Sequence, residues 1–460
     1  MKKTAIILFV LATAFTAMGQ DITGQWNGVL KVPGAQLRLI VHINKTDNGF
    51  SSTMDSPDQG AKGIPVSKTT FENGTLKLEI TNLGAEYTGL YKENLFSGTF
   101  KQAGQQFPMD LSRKEAEKQI VKRPQEPAKP YPYYSEDVVF PNPSANITLA
   151  GTLTLPSKEG NYPVVVLITG SGPQNRDEEL MGHKPFLIIA DYLTKNGIAV
   201  LRYDDRGTAK STGDFKKATS QDFATDVEAA IAFLKTRKEI NQQKIGLMGH
   251  SEGGLIAPMV AASTKGIGFI VLLAGPGLRG DKLLLLQEAA IAKASGETPK
   301  QIAEQQAINA GAFDIVVKAT DTLRMKTGVE SYLLQATKDT PAGIKKKDYV
   351  KTLVDQITTP WMRYFIQYDP ALALAKVKCP VLAVDGEKDL QVLPKENIAA
   401  INKALAKGGN KTVTTKIFPG LNHLFQECTT GLVGEYGTIE QTFSPVVLEY
   451  VTKWIKEKTK

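Results

Sequence analysis

The chain predicts an α/β fold, a mostly parallel sheet with helices on both faces and an inserted helical cap, preceded by a small all-β domain. Three observations predict it. Apolar strand-like runs alternate with amphipathic helical stretches beyond about residue 135. One pair of those runs is separated by about 100 residues of helical composition, far more than a crossover needs. Short alternating runs broken by turn residues fill the first quarter.

The chain starts with Lys2 and Lys3, an apolar run from Thr4 to Phe15, and the small-residue site Ala17-Met18-Gly19. This reads as a cleaved export signal over residues 1–19 and predicts a periplasmic or extracellular protein. The run is too short for a comfortable membrane anchor, and no comparable stretch follows, so no integral membrane segment is expected after cleavage. No Cys stands near the site for lipid attachment. With 460 residues, 42% of them hydrophobic and 22% charged, the chain is globular and long enough for more than one domain. Its formal charge of +8 falls to +6 once Lys2 and Lys3 are removed. The remaining lysines are scattered, without the basic, aromatic-interleaved stripe that nucleic-acid binding needs, so no nucleic-acid partner is expected.

From residue 20 to 113 the pattern is a β barrel or sandwich. Leu76, Leu78 and Ile80 alternate with Lys77 and Glu79 directly after Asn73-Gly74, a strong hairpin signal. Asp47-Asn48-Gly49 and Ala103-Gly104 punctuate runs such as Leu37–Val41. Residues 114–134, with Pro124, Pro127, Pro130 and Pro132, form a semi-rigid linker. The α/β domain spans 135–460. Its strands are expected at Val164–Thr169, Ile198–Tyr203, Lys244–Met248, Phe269–Ala274, Val381–Val384 and Thr414–Phe418. A helix over Gln221–Lys238 aligns Phe223, Val227, Ile231 and Leu234 on one face. The helical cap occupies about 278–378. Cys379 and Cys428 belong to opposite ends of the sheet, about 20 Å apart. A disulfide requires Cα atoms within about 7 Å, so both are expected to be free, buried thiols.

The chemistry centres on Gly249-His250-Ser251-Glu252-Gly253. The strand Ile245–Met248 runs straight into it, and the small-residue helix Leu255–Ser263 follows. A sharp strand-to-helix turn with small neighbours holds a serine in a strained conformation with its hydroxyl exposed, so Ser251 is the expected nucleophile. Serine needs an imidazole to take its proton. Of four histidines, His42 belongs to the β domain, and His250 adjoins the nucleophile with its side chain aimed into packing. His183 precedes the serine, out of the order nucleophile, acid, base that follows such a turn. His423 remains, on a loop after the strand Lys416–Phe418, at the sheet edge where open α/β sheets place their sites. Asp385 and Asp389 both follow the strand Pro380–Val384 and both qualify as the acid. Asp389, on the loop itself, is preferred, which leaves Asp385 as a turn former.

Acyl transfer also needs oxyanion donors, each worth roughly 3–4 kcal/mol. The backbone N–H of Glu252 is one candidate. Ser171, in Gly170-Ser171-Gly172-Pro173, is the other, since the glycines allow close backbone approach. The charged run Tyr203-Asp204-Asp205-Arg206-Gly207, and with it Asn175, Arg176 and Asp177, reads as ion pairs and turns that prop neighbouring loops.

Taken together, Thr169–Asp177, Tyr203–Gly207, Gly249–Gly254, Asp385–Asp389 and Gly420–His423 resemble the α/β-hydrolase superfamily over about Tyr134–Lys460. The chain is similar to exported bacterial serine esterases of the serine-aminopeptidase-like and dienelactone-hydrolase-like group. That resemblance implies the α/β-hydrolase fold, with Asp389 as the triad acid. It also implies that Trp361, Tyr364 and Phe365 face the substrate pocket; from the residues alone they are cap core. The sequence departs from many lipases and esterases in carrying Thr169 where they have His before the oxyanion glycine. The function expected is a serine hydrolase, foremost a carboxylesterase acting on a small-molecule ester, with neither metal nor organic cofactor. An exported serine aminopeptidase or acyl-peptide hydrolase is the nearest rival, its cap acids Glu297, Glu304 and Glu330 being candidates to hold an ammonium. A non-catalytic carbohydrate- or surface-binding protein is the third reading, and a complete Ser, Asp, His set argues against it. Oligomeric state is not legible.

Overall fold

The computed structural model describes residues 21–32, 35–59, 61–102, 105–115, 123–338, 340 and 345–460. The expected export signal, the Ala103-Gly104 turn and residues 116–122 of the expected linker lie outside them. The chain divides into two compact units, the first made of Met1–Lys31 and Leu37–Glu117, the second of Lys118–Lys460 together with the short stretch Val32–Gln36.

The first unit is a β barrel. Its strands among the described residues are Gly24–Val32, Ala35–Thr46, Gly49–Ser56, Ala61–Glu72, Thr75–Ile80, Ala85–Lys92, Leu95–Gln102, Gln105–Pro108 and Leu111–Ser112, β1–β9. They follow the order β6-β5-β4-β3-β2-β1-β9-β7-β8, and a further β6–β7 ladder closes the sheet on itself, which removes the exposed edges an open sheet would present. Asn73 and Gly74 both take positive φ, 50° and 73°, in the two-residue turn that pairs Glu72 with Thr75. The alternation after it delivers Leu76, Leu78 and Ile80 to the interior. Trp26 and Phe96 pack there edge-to-face with centroids 4.5 Å apart.

The second unit carries strands β10–β17 at Tyr134–Asn142, Ile147–Leu155, Tyr162–Ile168, Ala199–Tyr203, Ile240–His250, Ile267–Leu273, Val381–Gly386 and Val413–Phe418. Helices α1–α12 span Pro185–Lys195, Ser220–Lys235, Glu252–Ser263, Gly280–Ala294, Pro299–Lys318, Thr322–Ala336, Lys346–Ile357, Pro360–Gln367, Ala371–Leu374, Pro394–Lys407, Val433–Tyr436 and Pro445–Lys458. The sheet order is β10-β11-β13-β12-β14-β15-β16-β17. From β13 to β17 neighbouring strands are parallel, whereas β10–β11 and β11–β13 are antiparallel. This is the α/β-hydrolase arrangement. The β10–β11 hairpin is the element that sequence periodicity missed. Buried at nearly every position from Leu149 to Leu155, β11 lacks the alternation that marks a strand with one wet face.

Alternate residues of the central strands feed two cores. Val164, Val166 and Ile168 face α2 and α3 in one, while Val165 and Leu167 meet α1 and α12 in the other. A strand apolar on both faces must be covered on both, which is why helices sandwich it. The helices α4–α9, between β15 and β16, occupy the expected cap region. Their own core includes Phe313, Val316, Val329, Leu333 and Val354, so the insertion packs as a module. The expected linker is bound to the second unit from Arg123 onward. Arg123 donates to the carbonyls of Met181, Gly182, Gly437 and Ile439, and the Gln125 carboxamide accepts from the Thr442 and Phe443 amides. Cys379 and Cys428 are free, and each is half-buried rather than fully buried as expected. Among the described residues no helix is long and apolar enough to cross a membrane.

Candidate active site

Every candidate site residue except those on the cap follows the C-terminal end of a parallel strand, and strand register brings those ends together. Ile168 of β12 pairs with Gly249 of β14, His250 with Leu273 of β15, and Gly386 of β16 with Phe418 of β17. The loops leaving these ends carry Gly170 and Ser171, Ser251, Asp389, and His423.

Ser251 sits between β14 and α3 with φ 51° and ψ −117°, a conformation that costs an L-residue on the order of 1–3 kcal/mol. Its surroundings enforce it. A Cβ on Gly249 would lie 1.9 Å from the Gly253 carbonyl oxygen, and one on Gly253 would lie 2.1 Å from that of Ile168. The two glycines are therefore demanded by contact across the turn, not by flexibility. The Ser251 amide donates to the Leu273 carbonyl at 2.9 Å, which anchors the turn to β15.

His423 and Asp389 are joined directly, Nδ1 to Oδ2 at 2.6 Å, and both side chains are buried. Two loops are laced together to achieve this. Glu387 donates its amide to the Phe418 carbonyl and Lys388 to that of Leu421, both at 2.8 Å. Gly386 permits the approach, because a Cβ there would meet the Leu421 carbonyl oxygen at 2.3 Å. Asn422 shapes the His423 loop by accepting the Leu424 and Gln426 amides on its side-chain oxygen. Asp389 Oδ1 accepts the amides of Gln391 and Val392, leaving Oδ2 for the imidazole. Burial pushes the Asp389 carboxyl up, but His423 and these donors hold it below the usual range. Asp385 is fully enclosed beside it. Burial and the Asp389 charge push its carboxyl well above the usual range.

The remaining histidines have other occupations. His42 bonds Asp55 in the barrel at 2.9 Å. His183 is buried against Thr442 and the Tyr436 carbonyl, and burial pushes it down to about 4. His250 differs from expectation. It is buried, yet it does not end in apolar packing: its ring lies 4.8 Å from that of His423, and both its nitrogens are hydrogen-bonded. Sequence reasoning missed Glu178, its partner, which lies 72 positions away and has no motif to mark it.

In the loop after β12, the Gly170 amide is taken by Glu178 Oε1 at 2.7 Å and the Gln174 amide by Asp205 Oδ2 at 2.9 Å. Among the described residues the Ser171 and Gly172 amides have no protein acceptor. The charged run after β13 braces this loop. Asp204 holds Arg176, Asp205 holds Thr169, and Asp177 is paired with Arg202, while Arg206 is bound to Asp226.

Glu252 is the first residue of α3, and its side chain is buried. Its Oε1 accepts from Ser220 Oγ at 2.6 Å and from Trp361 Nε1 of cap helix α8 at 2.8 Å. Trp361 is thereby tied to the residue after Ser251 and stacks on Phe365 at 5.1 Å. Phe365 is buried in the main core, while Tyr364 is half-buried and stacks on Tyr368. Burial pushes the Glu252 carboxyl up to about 6 from 4.5. A carboxyl raised in the folded state stabilises when protonated. That contribution, about 2 kcal/mol, is full below the unfolded value near 4.5 and lost as pH rises through about 6. Glu252→Gln is therefore expected to melt a few degrees above the wild type at pH 8 and level with it at pH 4. A thermal melt at each pH checks this, and a lower melting point at pH 8 would contradict it.

The family described as serine aminopeptidase, S33, matches residues 185–427, just over half of the chain. Esterase EstD of Thermotoga maritima is 27% identical over 284 residues, spanning 60% of this chain and 58% of its own length. An uncharacterized 31.7 kDa protein of Escherichia coli is 24% identical over 314 residues, 66% of this chain and 95% of its own. An esterase of Pyrococcus furiosus aligns structurally at 17% identity with a TM-score of 0.41, over 71% of this chain and 93% of that one. With residues from α1 to the His423 loop inside the matched segment, the chain belongs to the serine aminopeptidase S33 family.

Proposed function

We propose that the chain is an exported carboxylesterase that cleaves short-chain acyl esters of small molecules through Ser251, His423 and Asp389. The observation that carries this reading is the 2.6 Å bond from His423 to Asp389, with the His423 ring 4.8 Å from that of His250, the neighbour of the strained Ser251. In the reaction His423 Nε2 takes the proton as Ser251 Oγ attacks the ester carbonyl. Asp389 holds the proton on Nδ1 and stabilises the imidazolium that forms. The oxyanion is received by the Glu252 amide, at the positive end of α3, and by the Ser171 amide. Collapse expels the alcohol, protonated by His423, and leaves an acyl group on Ser251. Water activated by the same imidazole then releases the acid. Export rests on the 1–19 signal pattern, and the small substrate on a helical insertion whose Trp361 is tied to Glu252, the residue after Ser251. EstD, a relative named as an esterase, points the same way.

A second reading, an exported aminopeptidase or acyl-peptide hydrolase, is favoured by the name of the matched family. It needs carboxylates for a substrate ammonium. Glu297 and Glu304 are exposed and Glu330 is half-buried, so none is a buried unpaired anion. Turnover of p-nitrophenyl acetate is expected to exceed that of an aminoacyl-nitroanilide by orders of magnitude in kcat/KM. The reverse ranking would overturn the esterase reading in favour of the second.

A further inference from the structure

His250 raises a question of proton count. Its Nδ1 lies 2.9 Å from Glu178 Oε1, and its Nε2 lies 3.0 Å from the backbone carbonyl oxygen of His423. Both neighbours are acceptors. A neutral imidazole has one N–H and one lone pair, so it satisfies only one of them and sets its lone pair against the other. An imidazolium satisfies both. The groups facing the ring are Glu178 from the loop after β12, His423 from the loop after β17, and Asp389 behind it. Burial disfavours the charge on His250, but Glu178 and these neighbours more than offset it and raise its affinity for the proton.

Glu178 is committed in turn. The oxygen that faces His250 also accepts the Gly170 amide at 2.7 Å, and the residue is buried with a positive φ of 51°. Backbone strain in a non-glycine residue persists only where its surroundings insist on it. One carboxyl side chain and one imidazole thus tie together three chain segments: the loop that bears Ser171, the turn that bears Ser251, and the carbonyl of His423 itself.

We propose that Glu178 and His250 form a buried charged brace that positions His423 and the Ser171 loop around Ser251, with His250 a permanent imidazolium. This inference rests on the reading of Ser251, His423 and Asp389 as the reacting residues. Neither brace residue is needed to touch substrate, so both act through others. Glu178→Gln separates charge from shape. With a neutral His250, the Nδ1–H tautomer bonds the new amide but turns a lone pair on the His423 carbonyl. The other tautomer keeps the carbonyl but needs the Gln amide nitrogen at Nδ1, which leaves Gly170 without its acceptor. One of the three bonds is lost either way.

The direct test is the ring charge. With only four histidines in the chain, 15N-histidine spectra assigned with His250→Asn are expected to show His250 protonated on both nitrogens from pH 5.5 to 9. A neutral His250 at pH 8 would overturn the brace. For kinetics, Glu178→Gln is expected to lower kcat about 100-fold, the scale of a reacting group misplaced by about an ångström, with KM within about threefold. A folded Glu178→Gln enzyme with kcat within threefold of the wild type would overturn the positioning role. If wild-type Ser251 is not labelled by a fluorophosphonate, the triad reading fails on that result alone, and the spectrum still decides the charge of His250.

Discussion

Ser251→Ala is expected to lower kcat for p-nitrophenyl acetate by about a million-fold and to abolish labelling by a fluorophosphonate probe. The size follows from the role assigned to the hydroxyl. Without Oγ no acyl-enzyme forms, and what remains is whatever rate the oxyanion amides give to direct attack by water. The fold is expected to survive. Alanine bears the same backbone strain at φ 51° as serine, and the turn is held by the Leu273 carbonyl through the backbone. Circular dichroism and a melting curve establish that the variant is folded before its rate is interpreted. A folded Ser251→Ala protein with more than a thousandth of wild-type activity would show that the hydrolysis runs elsewhere.

The acid is tested by a pair of variants. Asp389→Asn is expected to cost about 10,000-fold in kcat, while Asp385→Asn costs less than about tenfold. The geometry distinguishes them. Asp389 Oδ1 already accepts two amides, so an asparagine must place its oxygen there and its NH2 toward His423. That forces the imidazole into the tautomer with the proton on Nε2, where it has no lone pair to take the proton of Ser251. Burial and the Asp389 charge hold the Asp385 carboxyl well above the usual range, so asparagine there replaces the carboxyl of the pair that ionises less readily. Steady-state kinetics on both proteins decide it. Equal losses would mean that the two carboxyls act as one unit, and a larger loss at Asp385 would reverse the assignment.

Most of the parallel sheet was legible from the sequence because its strands are apolar on both faces. Runs such as Val164–Ile168 need apolar cover on both faces, which a buried parallel strand provides. The Ser251 turn was legible for a steric reason: Gly249 and Gly253 are the residue type that the close carbonyl contacts require. Elimination among four histidines led to His423, since the order of the chain across the sheet restricts which loops reach one edge. The β10–β11 hairpin was not legible, because β11 is buried without alternation and resembles any other apolar run. Nor was the docking of Arg123 and Gln125, whose partners are backbone carbonyls and amides that no residue type announces.

By itself, then, the sequence determined the barrel hairpins, the doubly covered sheet, the cap as an insertion, and the candidates Ser251, His423 and Asp389. Those features depend on periodicity, steric need and chain order, all of which are local or one-dimensional. Only the tertiary structure decided which carboxyl meets the imidazole, which amides of the Gly170 loop remain open, and where His250 points. Each of those depends on a hydrogen bond between segments tens to hundreds of positions apart. Which of Asp385 and Asp389 holds its proton more tightly is a property of the pair: burial and mutual repulsion raise one carboxyl, while His423 and two backbone amides lower the other.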